Sequence, residues 1–292
     1  MTKCSLLDFY VKLNKFSSME SPNIESTKGL LSERTFAITQ TQAVVLLHIL
    51  ISHLSFAFSF GWFTDFAYLA LTVWSFRLKN SAVIHLSLAM MLFRRLGFIL
   101  PDFVSGFFAL YLFIVLTVTW VILRLLKRAD SIRVWLRRGV IDRIVVFEMI
   151  GISLTAALAL VLWGYWTDDH IAGEMLKGLA GIPHLIIIAA VIPGFALLNA
   201  FSEEALFRGV FQQAALSAKW SEYTAIVLQA MPFAAFHVVA GFPNGKLGYA
   251  MTFIYAVALG FLRKQTKGLL APYLTHVTAD LVIAYFLYFN AI

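Results

Sequence analysis

Long apolar runs broken by short polar and basic stretches set the pattern of this chain. A helix needs roughly 20 apolar residues to cross the hydrocarbon of a bilayer. The first run extends from about Ala37 to Trp62. Two shorter runs follow: Phe63 to Phe76, closed by Arg77 and Lys79, and Ser81 to Phe93, closed by Arg94 and Arg95. Phe103 to Leu126 and Ile144 to Trp166 are of full length, and the second carries Trp163 and Trp166 where interfacial anchors are expected. Thr167-Asp168-Asp169-His170 then reads as an external turn. From Ile182 to Ala218 the chain stays apolar for longer than one span requires, and Pro193-Gly194 is expected to kink or divide it. Glu222 to Gly241, a turn at Phe242-Pro243-Asn244-Gly245, Leu247 to Leu262 and Leu269 to Ile292 complete the pattern.

These runs predict an all-α protein, a polytopic transmembrane helical bundle of about eight spans. The short alternating segments of a membrane β-barrel are absent. Residues 1–36 are polar and read as a cytoplasmic tail, without the regions of a signal peptide. Residues 37–180 read as N-terminal transmembrane helices and 181–292 as a catalytic membrane domain. Composition agrees: 60% of the 292 residues are hydrophobic and 13% charged, too few charges to clothe a soluble surface.

Charge placement sets orientation. Seven basic residues (Arg124, Lys127, Arg128, Arg133, Arg137, Arg138 and Arg143) face two acidic ones, Asp130 and Asp142, in one short loop. The positive-inside rule puts this loop in the cytoplasm, beside anionic lipid. It carries no nucleic-acid reading motif, so no nucleic-acid partner is expected. A single crossing by Ile182–Ala218 places Lys219 and the Arg263–Lys267 cluster on the same side. Cys4 is the only cysteine, which excludes an intrachain disulfide and a cysteine metal cluster.

Against this apolar background, Ser202-Glu203-Glu204-Ala205-Leu206-Phe207-Arg208-Gly209 is costly. Each central Asp, Lys or Arg costs about 2.5–3.5 kcal/mol on insertion scales, so such residues face polar cavities and mark function. Residues four apart share a helix face, so Glu204 can pair with Arg208, whereas Glu203 points about 100° away and is free for another task. His237 follows Phe233 by four residues, which stacks ring and imidazole on one face. His276 and Asp280 repeat the spacing, which suits a carboxylate that orients an imidazole. A carboxylate base, two histidines and an arginine in one cavity are the equipment of a peptide-bond hydrolase without a covalent nucleophile. A non-catalytic peptide-binding protein of the same fold and a proton-coupled transporter are the alternatives. His48, His53, His85 and His184 read as packed core residues.

The order Glu-Glu-x-x-x-Arg, Phe-x-x-x-His, His-x-x-x-Asn/Asp resembles the CPBP family, the CAAX prenyl endopeptidases and bacteriocin-processing intramembrane proteases also called Abi. Glu203, Glu204 and Arg208, with Phe207 and Gly209 beside the arginine, are similar to its first motif. Phe233 and His237 are similar to the second, and Leu269-Leu270-Ala271-Pro272 leading to His276 and Asp280 to the last. The resemblance spans about Leu198 to Ile292. It implies a water activated by Glu203 with help from His237, and an oxyanion stabilised by His276 and its fourth-residue partner. Here that partner is Asp280 in place of an amide, so Asp280 is expected to hold His276 as the donor. The resemblance also implies a membrane-associated peptide or protein substrate. No cofactor is expected, zinc being the alternative; the His-Glu-x-x-His zinc signature is absent. A bacterial inner membrane is the expected location.

Overall fold

Why these runs become helices is visible at their ends. The computed structural model describes residues 38–58, 61–101, 107–166, 181–239 and 242–291, and contains no strand among them. Helix α1 (Gln40–Ala57) starts at a capping box: Thr39 Oγ1 accepts from the Gln42 amide, while the Gln42 side chain accepts from the Thr39 amide. Helices α2 (Gly61–Leu78) and α3 (Ser81–Leu96) follow. Asn80 caps α3 by accepting from the Ala82 and Val83 amides. Then come α4 (Phe108–Leu125), the short α5 (Asp130–Trp135), α6 (Arg143–Trp166), α7 (His184–Ser217), α8 (Glu222–Val239), α9 (Gly245–Thr266) and α10 (Leu270–Ala291).

Six of these, α1, α4, α6, α7, α9 and α10, are long and apolar enough to cross a membrane. Helices α2, α3 and α8 form but fall short of that measure, so the expected figure of about eight is not reached on it. Helix α3 has only 16 residues, fewer than a crossing requires, and α2 carries Thr64, Asp65, Thr72 and Ser75 within its run. The outer face of α6 exposes Phe147, Leu154, Leu158 and Leu162 at helical spacing, a stripe suited to lipid. Trp166 is exposed, but Trp163 is not an interfacial anchor as expected. It is buried, with its ring edge-on to Phe242 at 4.6 Å.

Helix α7 corrects another expectation. Pro193-Gly194 does not divide the run, because helix continues from His184 to Ser217 over 34 residues. That is about 50 Å at 1.5 Å per residue, longer than the hydrocarbon requires. The chain absorbs the proline with a π-helical turn at Ile187–Val191, and Pro193 sits in the first turn of the α segment that follows. A second π-helical stretch, Ala205–Phe211, begins immediately after Glu204.

The core joins both halves of the chain. Helix α8 packs on α1 and α9, and α7 on α4 and α10. The basic loop is pinned beneath α9 and α10: Val140 N donates to Thr266 O at 2.9 Å and Leu269 N to Arg137 O at 2.8 Å. Gly139 and Gly268 permit this, since a Cβ on Gly268 would lie 2.3 Å from the Gly139 nitrogen. The start of α10, and with it the height of His276, is thereby fixed. The expected tail at 1–36, Cys4 and the expected turn at 167–170 lie outside the described residues.

Candidate active site

Three helices supply the polar centre. Glu203, Glu204 and Arg208 come from α7, His237 from α8, and His276 and Asp280 from α10. All six are buried, but not equally. Glu204 and Arg208 are 0% exposed, whereas Glu203, His237, His276 and Asp280 retain between 4% and 6%. The first pair is sealed into the fold, and the other four keep a contact with open space.

Glu204 and Arg208 form the pair that their spacing predicts, with Arg208 Nη1 donating to Glu204 Oε1 at 2.8 Å. Arg208 Nη2 donates to the Ala256 carbonyl at 3.2 Å, and its guanidinium lies 4.7 Å from the centroid of the Phe233 ring. Salt, hydrogen bond and ring together satisfy much of a charge that would otherwise be prohibitive in such surroundings.

His276 is the meeting point of the acids. Its Nδ1 donates to Glu204 Oε1 at 2.8 Å. Its Nε2 lies 3.5 Å from Glu203 Oε2 and 3.6 Å from Asp280 Oδ1. The 100° offset between the two adjacent glutamates therefore sends them to different nitrogens of one imidazole. Phe233 and Tyr255 wall the ring, at centroid distances of 6.0 and 5.7 Å.

His237 stands apart from this cluster. Its Nδ1 bonds the Phe233 carbonyl at 3.0 Å, and its ring lies 5.1 Å from that of Phe233. Among the described residues no carboxylate bonds it; Phe233, touching both imidazoles, is what connects it to the centre. With Nδ1 occupied, Nε2 is the nitrogen left to hold a water or substrate.

Two participants carry no charge and were not read from the sequence. Asn199 Nδ2 lies 3.2 Å from Glu203 Oε1 and 3.1 Å from Asp280 Oδ2. Its position four residues before Glu203, on the same helix face, is the signal that points to it. Tyr255 donates to the Thr275 carbonyl at 3.2 Å beside His276. The other described histidines lie elsewhere: His48 bonds the Val44 carbonyl, His53 the Met231 carbonyl, His85 the Ser131 hydroxyl and His184 the Tyr288 hydroxyl.

Zinc requires three or four donors around one point. Among the described residues no group of three His, Cys, Asp or Glu side chains is so disposed. Here His276 turns one nitrogen to Glu204, which Arg208 already engages. The donor set as arranged among the described residues does not fit the metal.

Residues 184–282 match the family model described as type II CAAX prenyl endopeptidase Rce1-like. The matched segment is thus similar to the CAAX prenyl endopeptidases. The match runs from the start of α7 to the middle of α10 and contains every residue of the cluster just described. It bears out the family resemblance read from the motifs, which began at about Leu198. With the six apolar helices it supports an integral, multi-pass membrane protein and, in general terms, a CAAX-type endopeptidase. No curated protein and no solved structure matches the chain.

Proposed function

We propose that this protein is an intramembrane endopeptidase that hydrolyses a peptide bond in a membrane-associated protein or peptide, with Glu203 as general base. The observation that carries the reading is the convergence of Glu203 Oε2 and Asp280 Oδ1 on His276 Nε2, at 3.5 and 3.6 Å, within the segment similar to CAAX prenyl endopeptidases. A water beside Glu203 gives it a proton and attacks the scissile carbonyl carbon. His237, through Nε2, orients that water. The carbonyl oxygen becomes an oxyanion, to which His276 donates from Nε2. Asp280 keeps His276 charged and oriented, while Glu204, braced by Arg208, holds the other side of the ring. The proton on Glu203 then passes to the leaving amine as the C–N bond breaks. No cofactor takes part.

The substrate class follows from where the site lies. Its carboxylates sit on helices long enough to span a bilayer, so the scissile segment enters the bundle from the membrane. The basic loop at Arg124–Arg143 marks the cytoplasmic side, and a bacterial inner membrane suits the charge pattern.

The test is cleavage by detergent-purified protein. Wild type and Glu203→Gln are offered membrane-anchored peptides, prenylated and unprenylated, with and without a strong chelator. The expected result is cleavage by wild type that survives chelation and falls about 10²–10⁴-fold in the variant. Unchanged cleavage by Glu203→Gln removes the general base. Loss on chelation that added metal restores removes the metal-free chemistry.

A further inference from the structure

Asn199 closes a ring of side chains that the charged residues alone leave open. Asn199 Nδ2 reaches Glu203 Oε1 at 3.2 Å and Asp280 Oδ2 at 3.1 Å. His276 Nε2 faces the other oxygen of each, Glu203 Oε2 at 3.5 Å and Asp280 Oδ1 at 3.6 Å. Each carboxylate is thus held on one side by the amide and on the other by the imidazole. An amide nitrogen carries two hydrogens, so one group serves both acceptors.

The need for such a group is electrostatic. Glu203 and Asp280 belong to different helices, α7 and α10, and like charges in a weakly screened interior repel strongly. Among the described bonds Arg208 reaches neither acid, because its bonds go to Glu204 and the Ala256 carbonyl. His276 already bonds Glu204 through Nδ1 and has only Nε2 to share between two acids. A neutral donor between them holds the pair together without adding a charge that would compete with the imidazole. No second role accounts for Asn199, whose Nδ2 makes these two bonds and no others described.

We propose that Asn199 is a positioning residue that clamps Glu203 to Asp280, fixing Glu203 Oε2 and Asp280 Oδ1 at the His276 Nε2 edge where the reaction takes place. The clamp rests on the hydrolase reading for its effect on rate, and on the bonds alone for its effect on stability. The two consequences are measured separately.

Four variants are made in the full chain: Asn199→Leu, which fills similar space without a donor; Asn199→Asp, the isostere, which replaces the donor with a third carboxylate; Asp280→Leu; and Asp280→Leu combined with Asn199→Leu. Peptide cleavage and thermal unfolding are followed in detergent. The clamp predicts that kcat falls roughly 10–100-fold in Asn199→Leu with KM within about twofold, a loss confined to the chemical step. It predicts that Asn199→Asp is no better than Asn199→Leu, although a packing role would favour the isostere. It also predicts that the double variant loses roughly 2–4 °C less in Tm than the two single losses added, since both remove the same bond. Wild-type-like kcat in Asn199→Asp, or additive Tm losses, would overturn the proposal. If wild type cleaves no peptide, the hydrolase reading falls and the Tm comparison alone decides the clamp.

Discussion

Glu204 Oε1 lies 2.8 Å from His276 Nδ1, and the same oxygen accepts from Arg208 at 2.8 Å. A sealed ion pair on one helix thereby sets the orientation of an imidazole on another. With Nδ1 committed, His276 can present only Nε2 to Glu203 and Asp280. On the proposed reading the neighbouring glutamates divide the work: Glu204 braces the imidazole and Glu203 serves as the base. This division depends on α7 keeping residues 203 and 204 a third of a turn apart just before the helix loosens into its π stretch at Ala205–Phe211.

Removing the arginine exposes the cost of that arrangement. Arg208→Met leaves Glu204 fully buried beside His276 without its strongest partner, and breaking a buried pair costs about 3–5 kcal/mol. The expected outcome is a large fall in Tm in detergent and no cleavage. Adding Glu204→Leu removes the stranded acid and recovers part of the stability, while cleavage stays absent because His276 has lost its brace. Equal Tm for the single and double variants would refute the pairing argument.

Asp280→Asn tests the charge opposite Glu203. The amide matches the carboxylate in shape, so the fold stays intact by thermal unfolding. It cannot help hold a charged imidazole, and His276 weakens as a donor. Cleavage is expected to fall about 10²-fold, comparable to the loss of one oxyanion donor. Full activity in Asp280→Asn would count against the acid role assigned to it.

What was legible in the sequence was charge in the wrong place. Glu203, Glu204, Arg208, His237, His276 and Asp280 stand out because apolar surroundings make each expensive, and four-residue spacing correctly paired Glu204 with Arg208. Neutral partners carry no such signal. Asn199 looks like an ordinary polar residue until α10 is brought against α7, and that contact joins positions 81 residues apart. The continuity of α7 through Pro193 was also hidden. Proline is read as a break, but a π-helical turn just before it lets the helix run on. His237 shows the opposite limit: its spacing to Phe233 was clear, yet its separation from the acids appears only in three dimensions.

Phe233 is a joint between the two imidazoles and the arginine. Its ring contacts Arg208 at 4.7 Å, Phe207 at 4.9 Å, His237 at 5.1 Å and His276 at 6.0 Å. Phe233→Leu keeps an apolar filling but removes the π face. A desolvated cation–π contact is worth about 2 kcal/mol, so a Tm loss of roughly 4–8 °C is expected for a chain of this size. Cleavage should fall further than that destabilisation explains, because His237 loses the surface that aligns it. An effect confined to Tm would reduce Phe233 to packing.

Two glycines on α7 should respond to alanine with opposite signs. At Gly209 an added Cβ would lie 2.8 Å from the ring of Trp135, which is buried against α7 and cannot swing away as a flexible chain end could. The substitution overpacks the contact that docks the basic loop, at a cost of about 1–3 kcal/mol. At Gly194 an added Cβ meets nothing within 4 Å, and the residue lies in regular helix. Alanine there removes backbone freedom from the unfolded chain and gains roughly 0.5–1 kcal/mol. Thermal unfolding of Gly209→Ala and Gly194→Ala against wild type should therefore bracket the parent Tm from below and above. Shrinking the ring with Trp135→Leu in the Gly209→Ala background should recover part of that loss. No recovery would mean that Gly209 is required by the π-helical backbone itself and not by the tryptophan it accommodates.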